Sequence, residues 1–154
     1  MIFHLGFVII FMYGIFKQVG DINQLSDISL LKFEIIFAAL MLILLIIRYF
    51  CMTQTQVTSL PEDTSIFQKR AAKIVHLSLY INLAVIPITG LVIGILYWLG
   101  LKSGIFIELI VGLHEISISI IYLLIAIHVS AAIFHRFKND GVWSSMVPLL
   151  TEKK

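Results

Sequence analysis

Residues 114–135 read HEISISIIYLLIAIHVSAAIFH, an apolar run that carries His114, His128 and His135 at intervals of 14 and 7. At about 100° per residue, these intervals return to within roughly 40° and 20° of the starting direction. On a helix the three rings therefore share one face. His114 and His128 would lie about 21 Å apart along the axis, most of the roughly 30 Å hydrocarbon depth of a bilayer. An ionisable side chain inside a membrane span is costly, usually faces the bundle interior and points to function. A single such histidine can be no more than a hydrogen bond between helices. Two co-facial rings a bilayer apart ask for more. His135, beside Arg136, has the bland reading of a solvated surface residue open to it.

The chemistry open to these rings is limited. Imidazole is an axial ligand of haem iron, and two rings from different helices at one depth would clamp a planar macrocycle. Zinc is the rival metal, but it wants four ligands in a tetrahedron, and no level of this chain offers four. Quinone binding or a proton relay through histidine is the third option.

The elements that must position the rings follow from composition. The chain is 60% hydrophobic and 13% charged, with a mean hydropathy of +1.03. Soluble domains carry about 25% charged residues, so this is an integral membrane protein. Cys51 is the single cysteine, which excludes an intramolecular disulfide and a C-x-x-C-H haem attachment. The net charge is only +2, and no basic cluster with interleaved aromatics is present, so nucleic acid is not expected as a partner. The opening MIFHLGFVII has no basic n-region or small-residue cleavage site and reads as a first membrane helix, not a signal peptide.

Four apolar segments, at about 1–19, 30–50, 74–99 and 105–137, each approach or exceed the roughly 20 residues of a spanning helix. They predict an all-α, integral membrane four-helix bundle forming a single transmembrane domain over 1–154. The start of the fourth, GIFIELIVGL, reads as an interfacial piece before the true span. Lys and Arg set the orientation. Arg48, Lys69, Arg70, Lys73, Arg136, Lys138, Lys153 and Lys154 stand on one side against Lys17, Lys32 and Lys102 on the other. That puts both termini in the cytoplasm.

Depths follow. His4 lies about 20 Å from the outer boundary, and His128 about 12 Å inward of Arg136, so the two share a level on helices one and four. They meet the depth requirement for a haem between two rings. His114 is near the outer side. His76, three residues after Lys73, is expected to be shallow on the inner side, as is His135. Helix one is short, about 24 Å to Lys17; snorkelling of Lys17, an extension through Val19 or a start upstream of Met1 would lengthen it. Pro87 with Gly90 reads as a kink. Tyr97 and Trp98 at one end and Trp143 at the other fit interfacial belts.

Several stretches together resemble the bacterial cytochrome b561 family, four-helix di-haem membrane proteins that exchange electrons with quinone. They are HLSLYINLAVIPITG (His76, Tyr80, Pro87, Gly90), His114–Glu115 followed by His128, Ala131–Ala132 and His135, the tail FKNDGVWSSMVP, His4 on helix one, and Arg48 at the end of helix two. The resemblance spans nearly the whole chain. It implies non-covalent haem b, a bacterial inner (cytoplasmic) membrane location, His4 and His128 as ligands of the cytoplasmic-side haem, and His114 as a ligand of an outer haem with a histidine from helix two.

In that last respect the sequence departs from the pattern. Fourteen residues before Arg48 stands Glu34, and SLLKFEIIFAAL holds no histidine. Either the outer haem is five-coordinate on His114 with Glu34 nearby, or it is absent, or another group completes the iron. A carboxylate is a poorer partner for ferrous haem than imidazole, and Glu34 also reads as an interfacial residue beside Lys32. Haem count is thus one or two. Superoxide oxidation, proposed for some family members, would profit from a positive outer surface. Here Lys17, Lys32 and Lys102 face Asp21, Asp27, Glu34, Glu108 and Glu115, which disfavours it.

His76 and His135 remain as candidates for a quinone or proton site, since histidine titrates in the right range; His76 has a structural hydrogen bond as its plainer role. The sequence therefore predicts a membrane b-type cytochrome moving electrons between a donor and the quinone pool, with the bilayer, quinone and a redox protein as partners. A haem-binding anchor subunit of a dehydrogenase is the first alternative, and a non-redox transporter or assembly protein with packing histidines is the second.

Overall fold

A computed structural model describes residues 2–55, 60 and 64–146. Its elements are α1 (Ile2–Lys17), a 3-10 turn (Ile22–Ser26), α2 (Ile28–Thr55), α3 (Ile66–Trp98), α4 (Ile105–Lys138) and the short α5 (Val142–Met146). The chain is an all-α membrane bundle. Three helices, α2, α3 and α4, are long and apolar enough to cross a bilayer, and α1 is a shorter apolar helix.

Local chemistry explains the ends. Asp27 precedes α2, and its carboxylate accepts from the Ser29 amide at 2.8 Å and the Ser29 hydroxyl at 2.7 Å. The Ser29 bonds hold the Asp27 carboxyl below its ordinary range. α3 starts at Ile66, eight residues before the expected 74, because Ser65 caps it. The Ser65 hydroxyl accepts from the Gln68 amide and donates to the Gln68 side chain, each at 3.2 Å, so one of the helix's unpaired amides is capped. The GIFIELIVGL stretch is helical and continuous with the rest of α4, which runs unbroken from Ile105, and the turn before it is made by Gly100 and Gly104 at φ +80° and +111°, values open to glycine. α4 stops at Asn139, whose left-handed backbone (φ 57°) lets its amide reach the His135 and Arg136 carbonyls.

α1 packs on α2, α2 on α3, and α3 on α4. Among the described residues, no Cα of α1 comes within 8 Å of one in α4, so the first and last helices stay apart. One apolar cluster, Leu25, Leu31, Ile93, Leu96, Tyr97 and Ile107, closes the α3–α4 turn end. A second, Phe7, Met41 and Leu45, packs with Leu83 and Tyr80 between α1, α2 and α3. Gly14 and Gly94 are close approaches: a Cβ on Gly14 would run into the Phe37 ring, and one on Gly94 into Ile35. Most other apolar side chains lie on the outside, Ile105, Phe16 and Phe137 among them, as a bundle solvated by lipid requires.

Seven-residue steps recur along three of the helices. Glu34, Met41 and Arg48 follow one stripe of α2; His76, Leu83 and Gly90 one of α3; His114, Ile121 and His128 one of α4. Each stripe puts a polar or small residue at both ends and an apolar one between. Met41 and Ile121 are among the most buried residues, at 7% and 1% exposure. Two polar levels are thereby separated by a dry layer.

Candidate functional site

The His4 level draws on α1, α2, α3 and α4. His4 comes from α1, Arg48 from α2, His76 and Tyr80 from α3, and His128 from α4. Arg48 Nη1 lies 2.6 Å from His4 Nδ1. The same guanidinium stands 5.4 Å from the Phe7 ring centre and 5.8 Å from that of Tyr80. Arg48, His128 and His76 are the side chains electrostatically close to His4. The His76 and His128 rings meet edge to face, with centroids 5.3 Å apart and planes at 61°. The Tyr80 hydroxyl is buried and lacks a hydrogen-bond partner among the described residues.

The exposed His76 ring stands beside His128, about 15 Å along α3 from its start at Ile66. His135 Nδ1 donates to Asp140 Oδ2 at 2.7 Å, beyond the end of α4. Lys138 Nζ lies 3.5 Å from the same oxygen, and the Val142 amide donates to the other at 3.3 Å. Burial alone would raise the Asp140 carboxyl, but these bonds and the nearby His135 and Lys138 charges hold it below its ordinary range. Arg136 covers the Trp143 ring at 4.8 Å, so α5 is pinned to α4 at two points.

The His114 level is built differently. His114 Nδ1 lies 2.8 Å from Thr89 Oγ1. The Thr89 hydroxyl is within 2.7 Å of the Val85 carbonyl and 2.9 Å of that of Ile86. Its hydrogen goes to a carbonyl, so its oxygen accepts from His114 Nδ1–H, which leaves the Nε2 lone pair free. Metal-bound histidines are held in this way, through the other ring nitrogen. Gly90 leaves a methyl-sized hollow there: an added Cβ would sit 3.6 Å from His114 Cε1 and 3.8 Å from Ala38 Cβ. Across Gly90 from His114, then, α2 presents Ala38. Glu34 is one turn away on that side of the helix, with Oε1 buried and unpartnered among the described residues.

Haem fits the donor set of the His4 level. His4 and His128 come from helices whose backbones keep apart, and a neutral imidazole has one ring lone pair for a metal; that of His4 is here engaged by Arg48. His76 cannot pair with His128 about a plane, since rings in edge-to-face contact leave no slot between them. Sequence reading undervalued Arg48 and passed over Thr89. Thr89 and His114 are 25 residues apart, and no local pattern ties a threonine to a histidine on the next helix. Arg48 is marked in the sequence by its interval of 14 to Glu34, but its contact with His4 on another helix is not.

Comparison with known proteins gives one finding. A family model described as prokaryotic cytochrome b561 matches residues 1–149. No curated protein and no solved structure matches.

Proposed function

The chain belongs to the prokaryotic cytochrome b561 family, and on that premise we propose that it moves electrons between a donor and the quinone pool through a haem b held by His4 and His128. Membership makes it a membrane b-type haem cytochrome of electron transfer. The observation that carries the ligand assignment is the approach of His128 to His4 from α4 and α1, helices without close backbone contact among the described residues. Bound haem supplies one-electron redox chemistry. The protein supplies ligands, depth and surrounding charge.

His76, edge-on to His128, is a proton-handling neighbour for a quinone at that end of the bundle, and His135, paired with Asp140, is the second candidate. His114, with Nδ1 tied to Thr89, supplies at most one imidazole to a second haem, because α2 offers Ala38 and Glu34 there instead of a histidine. The basic end of the bundle faces the cytoplasm of a bacterial inner membrane, by the distribution of Lys and Arg.

The test is an optical spectrum of the purified full chain. A six-coordinate, low-spin b haem is expected, and its split Soret and α-band signature should vanish in His4→Ala and His128→Ala. Retention of the full low-spin spectrum in both variants would overturn the assignment.

A further inference from the structure

The Arg48–His4 contact is at odds with ligation of iron by His4. A guanidinium carries only N–H donors and does not lose its proton in proteins. At 2.6 Å from Nδ1 it donates, and Nδ1 accepts. The neutral ring then carries its hydrogen on Nε2. Iron needs a ring lone pair. If it takes that of Nε2, the hydrogen moves to Nδ1 and two donors face each other. If it takes that of Nδ1, iron and Arg48 compete for one lone pair. Either way the contact must break when His4 becomes a ligand. His114 shows the opposite arrangement: its Nδ1–H bond to Thr89 survives ligation through Nε2 unchanged.

Once released, Arg48 needs an anion. Among the described residues no carboxylate pairs with it. Its other neighbours are the Phe7 and Tyr80 rings. Rings offer a cation weak attraction, and the unpartnered Tyr80 hydroxyl can accept a bond but brings no charge. A cation left unpaired in an apolar bundle is costly. Haem b brings two propionate carboxylates, and guanidinium binds carboxylates in bidentate pairs.

We propose that Arg48 is the carboxylate anchor of the His4-level haem, exchanging its bond to His4 Nδ1 for a haem propionate as His4 becomes a ligand. The proposal rests on His4 as a ligand. An anionic lipid phosphate presents similar oxyanion chemistry, and the experiment separates the two.

The full chain is reconstituted in phosphatidylcholine nanodiscs with either protohaem or its dimethyl ester, which lacks the propionate charges. Haem loss to excess apomyoglobin is then timed. In the wild type the ester should leave about 10-fold faster, the scale of one charge-assisted pair. Arg48→Gln should lose both at nearly equal rates, and Arg48→Lys should keep most of the discrimination. Equal rates in the wild type overturn the proposal without recourse to any variant. So does a 10-fold ratio that persists in Arg48→Gln. A lipid partner would instead give equal rates for the two haems and an Arg48-dependent change on adding phosphatidylglycerol, which also overturns it. Should His4→Ala keep the complete low-spin spectrum, the ligand assignment falls and the Arg48 proposal with it. Loss of that spectrum alongside equal wild-type rates sinks the Arg48 proposal alone.

Discussion

At the scale of single residues, three imidazoles differ in what they can do because of the atom each meets at Nδ1. His114 meets a hydroxyl that accepts, His4 a guanidinium that donates, and His135 a carboxylate. The positions of the rings on α4 are legible in the sequence, since intervals of 14 and 7 put His114, His128 and His135 on one helical face. Their partners are not, because each of the first two comes from another helix. The His135–Asp140 pair has a pH dependence whose sign can be worked out. The Asp140 carboxyl titrates below its ordinary range in the folded chain. Its contribution to holding α5 is therefore complete above the ordinary value of about 3.9 and is lost as pH falls through the lower folded value. His135 Nδ1–H donates to Asp140 whether or not the ring is charged, so the contact does not open in mildly acid solution. Trp143 reports it, lying under Arg136. In a Trp98→Phe background, the Trp143 emission should be flat from pH 7 to 5 and change only below about 4. Asp140→Asn should show the changed emission at pH 7. A transition centred near pH 6 would contradict the argument.

At the scale of elements, hydropathy locates the helices but not their polar ends. α1, α2 and α4 lie within a few residues of the apolar runs, apart from five further residues at the end of α2. α3 gains eight at its start, Ile66 to Lys73, where Gln68, Lys69, Arg70 and Lys73 interrupt the apolar pattern. The capping residues Ser65 and Gln68 are visible in the sequence as S-x-x-Q, a start signal that outranks the hydropathy there. His76, ten residues on from that start, is exposed, and its ring meets that of His128 edge to face. The Pro87 region is the other place where sequence and structure speak together. Pro87 removes a backbone donor inside α3, and two residues later the Thr89 hydroxyl bonds to the Val85 carbonyl and holds His114.

At the scale of the whole molecule, the bundle has two ends of unlike charge and two levels of unlike ligand supply, and each difference gives a prediction. The first is sidedness: a C-terminal reporter should be active in the cytoplasm, given the basic residues gathered at that end, and one active only in the periplasm would invert the assignment. The second is haem number. At the His4 level, two histidines from α1 and α4 stand with a third, His76, beside them. At the His114 level there is one histidine, and the facing side of α2 carries Ala38 and Glu34. The other rings cannot help, because the levels are about 21 Å apart along α4, and Met41 and Ile121 are buried between them. We therefore predict fewer than two bis-histidine haems per chain by pyridine haemochrome assay. A haem bound at His114 would be five-coordinate or weakly capped, hence high-spin and reactive toward carbon monoxide. Glu34→His distinguishes a lost site from a remodelled one. With one more imidazole on the inward stripe of α2, haem content should rise if the site is lost, whereas a high-spin signal should turn low-spin if it is remodelled. Two low-spin haems in the wild type, both silent to carbon monoxide, would mean that α2 supplies a ligand this arrangement of Glu34 and Ala38 does not provide.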